Sequence, residues 1–204
     1  MATLTFYTNP QSRGRIARWM LEEVGAPYET VVLDYAGAMK SADYLAVNPM
    51  GKVPAIRHGE RVVTEGAAIC AYLADAFPDA GLAPAPADRA DYYRWLFFAA
   101  GPLEAAVMDK AMGIVPTEKQ QQMAGYGRLD LAASVLDRAV AAREWIAGDR
   151  FSAADVYVGS GIGWYTQFGL LEKTPAFAAY LDRLHARPAC IRANELDDTA
   201  ATVT

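Results

Sequence analysis

Strand-forming patterns occur only in the first 80 residues of this 204-residue chain. Three short runs there are rich in β-branched and aromatic residues: TLTFYT (3–8), YETVVLDY (28–35) and KVPAIRHGERVVTE (52–65). The last run holds two strands joined as a hairpin around His58-Gly59-Glu60. Apolar residues at helical spacing lie between and after the runs, so the predicted order is β-α-β-α-β-β-α. The β-α-β unit at the start predicts a right-handed crossover between parallel strands.

The remainder of the chain is predicted to be helical. The segment DAGLAPAPADRAD (79–91), which follows Pro78, contains two further prolines among alanines, which is typical of an interdomain linker. Helical periodicity then covers 87–112, 117–142, 152–168 and 175–186. We therefore expect an α/β domain at 1–80 and an all-α domain at 87–204, with a loosely ordered polar tail, NELDDTAATVT.

The composition of the chain argues against several kinds of binding partner. The formal net charge is −5 and no block of basic residues occurs, which argues against a nucleic-acid partner. No run of 18 apolar residues and no secretion signal is found, so we expect no membrane association. Two cysteines in unrelated contexts indicate a cytoplasmic protein without structural disulfides. The two histidines have no zinc-site spacing, and no metal is expected.

The stretch NPMGKVPAI (48–56) places a proline at the start of a strand pattern. Proline cannot donate to a sheet ladder, so Pro54 needs a special position. Either it lies at a sheet edge or its peptide bond is cis, as occurs in tight turns. The residues alone leave both explanations open.

Three stretches together resemble the cytosolic glutathione S-transferases, in a bacterial, serine-type or theta/beta-like branch. They are NPMGKVPAI, TEGAAICAYLAD (64–75) and IAGDRFSAADVYVG (146–159). The resemblance implies a thioredoxin-like N-terminal domain followed by an all-α C-terminal domain. It also implies a cis bond before Pro54, and Ser152 and Asp155 as structural anchors of a helix start. Glutathione would be a co-substrate, with no other cofactor.

Such an enzyme must stabilise a thiolate. A free cysteine thiol has a pKa near 8.5, and lowering it by about two units requires roughly 2.7 kcal/mol. By resemblance, the hydroxyl that does so lies at the end of the first strand or the start of the first helix. Ser12 is the first candidate and Tyr7 the second, with Asn9 as a third possible donor and Arg13 directed at the sulfur. Ser12 could instead be a helix cap, Tyr7 a core aromatic and Arg13 a surface residue.

The resemblance also implies how glutathione is held. The backbone of Val53, preceding Pro54, would pair with the cysteinyl part in the manner of an added strand. Lys52 would meet the glycyl carboxylate, unless it is only a solvated loop residue. Glu65 would take the γ-glutamyl ammonium, and the following helix start the carboxylate. The family usually has serine after this acid, whereas this chain has Gly66, so the backbone amides of the helix start remain but one hydroxyl is lost, for which Thr64 could compensate.

The expected function is transfer of the glutathione thiolate to a small hydrophobic electrophile, as in detoxification, by a homodimer. One alternative is a binding protein of the same fold with little or no catalysis, which the glycine after Glu65 favours. Another is a glutathione-dependent isomerase or dehalogenase. A thiol-disulfide activity is disfavoured, because Cys70 lies on an apolar helix face and no C-x-x-C occurs.

Overall fold

The computed structural model describes residues 3–202, which divide into two compact units. The first unit runs to Leu82 and resumes at Ala186, and the second is Ala83–His185. The first contains a sheet and the second is helical, which confirms the predicted α/β and all-α classes. The chain after His185 was expected in the helical domain, but it groups with the first unit.

The sheet of the first unit has four strands in the order β2-β1-β3-β4. They are β1 (Leu4–Thr8), β2 (Glu29–Val32), β3 (Ala55–His58) and β4 (Arg61–Thr64). β1 and β2 are parallel, whereas β3 runs antiparallel to both β1 and β4. Pro54 precedes the first residue of β3, so its missing N–H removes no bond from the ladder.

The two faces of the sheet are covered by different elements. Helices α1 (Gly14–Val24) and α3 (Gly66–Ala76) pack on the face of Phe6, which is fully buried under the guanidinium of Arg18. Successive strand side chains point to opposite faces, so Tyr7 lies on the other one. There it packs against a buried cluster supplied by the chain after β2, including the short helix α2 (Ala42–Leu45). The members of this cluster are Leu33, Met39, Tyr44, Val47 and Ala55.

The second unit is built from six helices in the part of the chain described. They are α4 (Ala90–Phe98), α5 (Glu104–Ala111), α6 (Glu118–Met123), α7 (Leu129–Ala142), α8 (Ala153–Gln167) and α9 (Pro175–His185). A π-helical segment, Ala99–Leu103, joins α4 to α5 around Pro102, which lacks the N–H of a regular turn. Short 3-10 turns lie at Ala38–Lys40, Pro78–Ala80 and Pro86–Asp88. The last two overlap the predicted linker.

Two features of the helical unit bear on the sequence-based expectations. The segment 117–142 was predicted as one helix but is interrupted between Met123 and Leu129, where Gly127 has a φ of 64°. At the start of α8, the buried carboxylate of Asp155 accepts from the backbone N–H of Ser152 at 2.9 Å and from the hydroxyl of Tyr180 at 2.8 Å. The expected structural anchor is therefore present.

The expectation of a loose tail is wrong, because residues Pro188–Ala201 form a further helix, α10. It packs along α1 through acidic and basic side chains rather than through apolar ones alone. Four ion pairs join the two segments: Arg15–Asp198, Arg18–Asp197, Glu22–Arg192 and Glu23–Arg187. The polar composition that suggested disorder is used for pairing. Within residues 3–202, no helix is both long and apolar enough to span a bilayer.

Candidate active site

The register of the sheet brings three chain segments to one end of it. Tyr7 in β1 stands opposite Ala55 in β3, which in turn stands opposite Thr64 in β4. The turn that follows β1, the residues that precede β3 and the residue that follows β4 therefore share this end. All the predicted site residues lie in these three segments or in the adjoining ends of β1 and α3, namely Tyr7, Ser12, Arg13, Lys52, Val53, Pro54, Glu65 and Gly66.

Ser12 lies in the turn between β1 and α1 and is 8% exposed. Its hydroxyl donates to the carbonyl of Asn9 at 2.6 Å and accepts from the N–H of Gly14 at 2.9 Å. It therefore satisfies one of the free N–H groups at the start of α1, as a cap does. The side chain of Asn9 is also engaged, because its amide donates to the carbonyl of Leu33 at 2.9 Å.

Gly14 explains how the helix can begin so close to the strand. A Cβ at this position would lie 2.0 Å from Oγ1 of Thr8 and 3.0 Å from Oγ of Ser12. Thr8 is fully buried and has no room to move away. The absence of a side chain at residue 14 thus allows the start of α1 to pack directly on the end of β1.

Tyr7 offers a second hydroxyl near the same end of the sheet. The side chain is half-buried, and its ring packs against that of Tyr44 with the centroids 5.5 Å apart. Among residues 3–202, no hydrogen bond to the Tyr7 hydroxyl is found. Arg13, the residue before α1, is half-buried and forms part of the same turn.

The loop before β3 presents unpaired backbone. The Val53–Pro54 peptide bond is cis, as predicted. Neither the N–H nor the C=O of Val53 forms a hydrogen bond within the described chain. The Val53 side chain packs against the buried cluster that contains Tyr44. The Lys52 carbonyl, by contrast, accepts from the hydroxyl of Tyr44 at 2.6 Å and from the amide of Asn48 at 2.8 Å. Sequence reasoning did not single out Tyr44 or Asn48, although Asn48 opens the NPMGKVPAI motif.

Glu65 joins β4 to α3 in a conformation that is uncommon for a residue with a side chain. Its φ is 66° and its ψ 119°, and it alone among the non-glycine residues described has a positive φ. Such a conformation costs about 1–3 kcal/mol and is concentrated at functional sites. The carboxylate is exposed and forms no ion pair within the described chain. Gly66 begins α3 directly after it, so the free N–H groups of the helix start follow Glu65 in the chain, and the Glu65 side chain makes no capping hydrogen bond to them.

Charged groups of both signs lie at this end of the sheet. The Lys52 ammonium is exposed and the Glu65 carboxylate is exposed, and neither has an ionic partner in residues 3–202. In the same part of the chain, no three His, Cys, Asp or Glu side chains come together as a metal site would require. Unpaired backbone, an acidic group and a basic group are what an extended peptide with both kinds of terminus would contact.

A thioredoxin-like sheet that presents these groups, followed by a helical unit, defines a class of glutathione-dependent proteins. Family models agree: residues 13–76 match the N-terminal domain of glutathione S-transferases, and residues 94–188 match the C-terminal domain. Glutathione S-transferase GstB of Escherichia coli K12 is 32% identical over 179 residues, which cover 83% of this chain and 86% of that protein.

Solved structures agree with the family models. A glutathione transferase from Methylococcus capsulatus matches with a TM-score of 0.79 and 30% identity, covering 97% of this chain and all of that one. A sphingomonad glutathione S-transferase complexed with glutathione matches with a TM-score of 0.78 and 30% identity, over 95% and 98% of the two chains. The chain belongs to the glutathione S-transferase family, and it is an enzyme of the glutathione transferase class.

Proposed function

We propose that this protein joins the sulfur of glutathione to a small apolar electrophile. The thiol proton leaves to solvent, the thiolate attacks the electrophilic carbon, and the leaving group departs with its bonding electrons. The observation that carries the proposal is the unpaired backbone of Val53, which stands at the same end of the sheet as Ser12 and Glu65. An extended peptide placed there would complete the hydrogen bonding of Val53 as an added strand does.

In this proposal each part of glutathione meets a group of matching charge. The ammonium and carboxylate of the γ-glutamyl end contact Glu65 and the N–H groups at Gly66, and the glycyl carboxylate contacts Lys52. Arg13 directs positive charge toward the sulfur. The strained backbone of Glu65 supports the assignment, because the fold maintains it against an unfavourable φ.

Thiol activation is proposed to come from Ser12 at the start of α1, where the helix dipole favours an anion. Its hydroxyl proton is directed at the Asn9 carbonyl in the structure, so it must rotate toward the sulfur when glutathione binds. Tyr7 is the second candidate, because its hydroxyl has no hydrogen bond within the described chain.

The engaged state of the Ser12 hydroxyl also favours a second candidate function. A protein that binds glutathione but catalyses weakly would keep this serine as a cap. Gly66, which replaces the usual serine hydroxyl, also favours weak catalysis, because one lost neutral hydrogen bond weakens binding about threefold to tenfold.

We further propose that the protein is a cytoplasmic homodimer. The exposed aromatic side chains Tyr93 and Phe97 of α4 offer apolar surface for the dimer contact, and Phe97 is 71% exposed.

One set of measurements separates these possibilities. The wild-type protein is tested for retention on glutathione-agarose, for turnover of chloro-dinitrobenzene and for the pKa of bound glutathione. Ser12→Ala and Tyr7→Phe are compared with it. We expect retention, turnover and a bound thiol pKa that rises in Ser12→Ala alone. A rise in Tyr7→Phe alone would move the role to Tyr7, retention without turnover would show a binding protein, and failure to bind would overturn the proposal.

A further inference from the structure

We propose that Tyr44 and Asn48 are positioning residues that direct the backbone N–H of Val53 toward bound glutathione. This inference rests on the proposed function, since it explains how the loop before β3 orients the Val53 N–H toward glutathione. It concerns two buried side chains that are not part of the ligand-binding surface: Tyr44 is 3% exposed and Asn48 4% exposed.

Two side chains hold the backbone carbonyl of Lys52. The oxygen of Lys52 accepts two hydrogen bonds, from Oη of Tyr44 at 2.6 Å and from Nδ2 of Asn48 at 2.8 Å. In a planar trans peptide the C=O and the next N–H point in opposite directions. Holding the Lys52 oxygen toward α2 therefore turns the Val53 N–H away from α2. That N–H has no acceptor in residues 3–202, so it is available to donate a hydrogen bond to a ligand.

The preceding peptide is held in the same way. The carbonyl of Gly51 accepts from Nζ of Lys40 at 2.7 Å, and the N–H of Gly51 donates to the carbonyl of Asn48 at 2.8 Å. Gly51 has a φ of 57°, and a Cβ there would lie 2.9 Å from both the Lys40 ammonium and the Met39 carbonyl. Two consecutive carbonyls are thus bound by side chains of the segment that contains α2, which leaves little freedom to the residues before Val53.

The Tyr44 hydroxyl is separable from the structural role of its ring. The ring is a member of the buried cluster on the Tyr7 face, and a phenylalanine would keep that packing. Burial raises the pKa of Tyr44 to about 12, so the hydroxyl stays protonated and remains a donor at neutral pH. Replacing it leaves the Lys52 carbonyl with one bond instead of two, and the Val53 N–H is then less firmly directed.

The test compares Tyr44→Phe with Tyr72→Phe. Tyr72 lies in the same unit, on α3, and its hydroxyl pairs with the His58 ring at 2.9 Å. Each variant therefore loses one hydroxyl hydrogen bond, but only Tyr44→Phe affects the loop before β3. Glutathione affinity is measured by calorimetry, the Val53 amide signal by NMR with and without glutathione, and KM and kcat by turnover. Asn48→Asp, which places a carboxylate oxygen against the Lys52 carbonyl, is the second variant.

We expect Tyr44→Phe to raise the Kd and KM for glutathione about threefold to tenfold, as for one lost hydrogen bond, with kcat unchanged. Asn48→Asp should raise them further, and Tyr72→Phe should leave them as in the wild type. The Val53 amide should shift on binding in the wild type and shift less in Tyr44→Phe. Wild-type affinity in Tyr44→Phe, equal loss in Tyr72→Phe, or an unperturbed Val53 amide would overturn this inference. Failure of the wild type to bind glutathione would overturn the proposed function itself.

Discussion

Nε of Arg18 in α1 donates to Oδ1 of Asp197 in α10 at 2.8 Å, and the two residues are 179 positions apart in the sequence. Both side chains are almost closed to solvent, with 5% and 1% exposed. The guanidinium also donates to the hydroxyls of Tyr28 and Thr30, each at 3.2 Å, whereas Oδ2 of Asp197 has no partner in the described structure. From its position on α1, Arg18 therefore forms hydrogen bonds both to α10 and to the β2 segment of the sheet.

The charges of α1 and α10 are arranged for pairing with each other. Each segment has its arginines first and its acidic residues last, and the two run antiparallel, so opposite charges face each other along their length. Acidic residues near a helix C-terminus and basic residues near its N-terminus oppose the helix dipole. Neither helix gains stability from this order alone, and we conclude that α10 depends on α1 for its place.

Replacing Asp197 with alanine should destabilise the protein strongly. The change leaves the Arg18 guanidinium buried without its carboxylate, and removing one partner of a buried pair costs about 3–5 kcal/mol. Asp198→Ala is the matched control, because Asp198 is 70% exposed and its pair with Arg15 contributes at most about 1 kcal/mol. Urea unfolding of both variants measures the difference, and equal stability of the two would contradict the importance of the buried pair.

Alanine at Gly159 should be unfavourable, unlike alanine two residues further along the same helix. A Cβ at Gly159 would lie 2.1 Å from Cδ1 of the fully buried Leu184 in α9, whereas one at Gly161 meets only Tyr165 at an ordinary 3.6 Å. We expect Gly159→Ala to lower the free energy of unfolding by about 1–3 kcal/mol through overpacking. Gly161→Ala should raise it by up to about 1 kcal/mol through helix propensity. Thermal unfolding of the two variants decides this.

Neither cysteine should react with a thiol reagent in the folded protein. Cys70 is fully buried and Cys190 is 4% exposed. Burial raises the pKa of Cys70 above its ordinary value, and burial and the nearby Glu23 raise that of Cys190 to about 11. At about pH 8 a raised pKa means less thiolate, which is the reactive form. Titration with Ellman's reagent should detect no fast thiol before unfolding and two afterwards; a fast thiol in the native state would refute this.

Glycine at position 65 should separate stability from binding. Residue 65 has a positive φ, which is unfavourable for a residue with a side chain, and Glu65→Gly removes that cost. The free energy of unfolding should therefore rise by about 1 kcal/mol after the extra chain entropy of glycine is subtracted. The same change removes the carboxylate and should abolish retention on glutathione-agarose. Glu65→Gln keeps the strain and loses only the charge, so it should bind weakly without becoming more stable. A Glu65→Gly protein that is less stable than the wild type would count against strain at this residue.

Local signals were sufficient to predict most of the first unit. The strand runs and the hairpin were predicted from their β-branched and aromatic residues, and the helices between them from the spacing of apolar residues. The cis bond before Pro54 was predicted from the family resemblance of its motif. These features depend on residues that are near one another in sequence, so the local amino-acid pattern is enough to predict them.

Features that depend on distant partners were missed. The charged sequence of α10 resembles a disordered tail unless its pairing with α1 is known. The direction of the Ser12 hydroxyl is set by the Asn9 carbonyl, and the role of Tyr44 depends on the Lys52 carbonyl. Periodicity does not report the direction of a hydroxyl or a carbonyl. The break between α6 and α7 did have a signal, the glycines at 125 and 127, either of which favours the end of a helix.

The chain order of the first unit has a consequence during synthesis. Its sheet and its first three helices leave the ribosome before the whole second unit, yet α10 follows that unit in the chain. The helical unit is therefore the first to have all its residues available, although it is encoded second. Until α10 emerges, the Arg18 guanidinium has no Asp197 carboxylate to pair with. We expect the nascent first unit to mature only when α10 closes on α1.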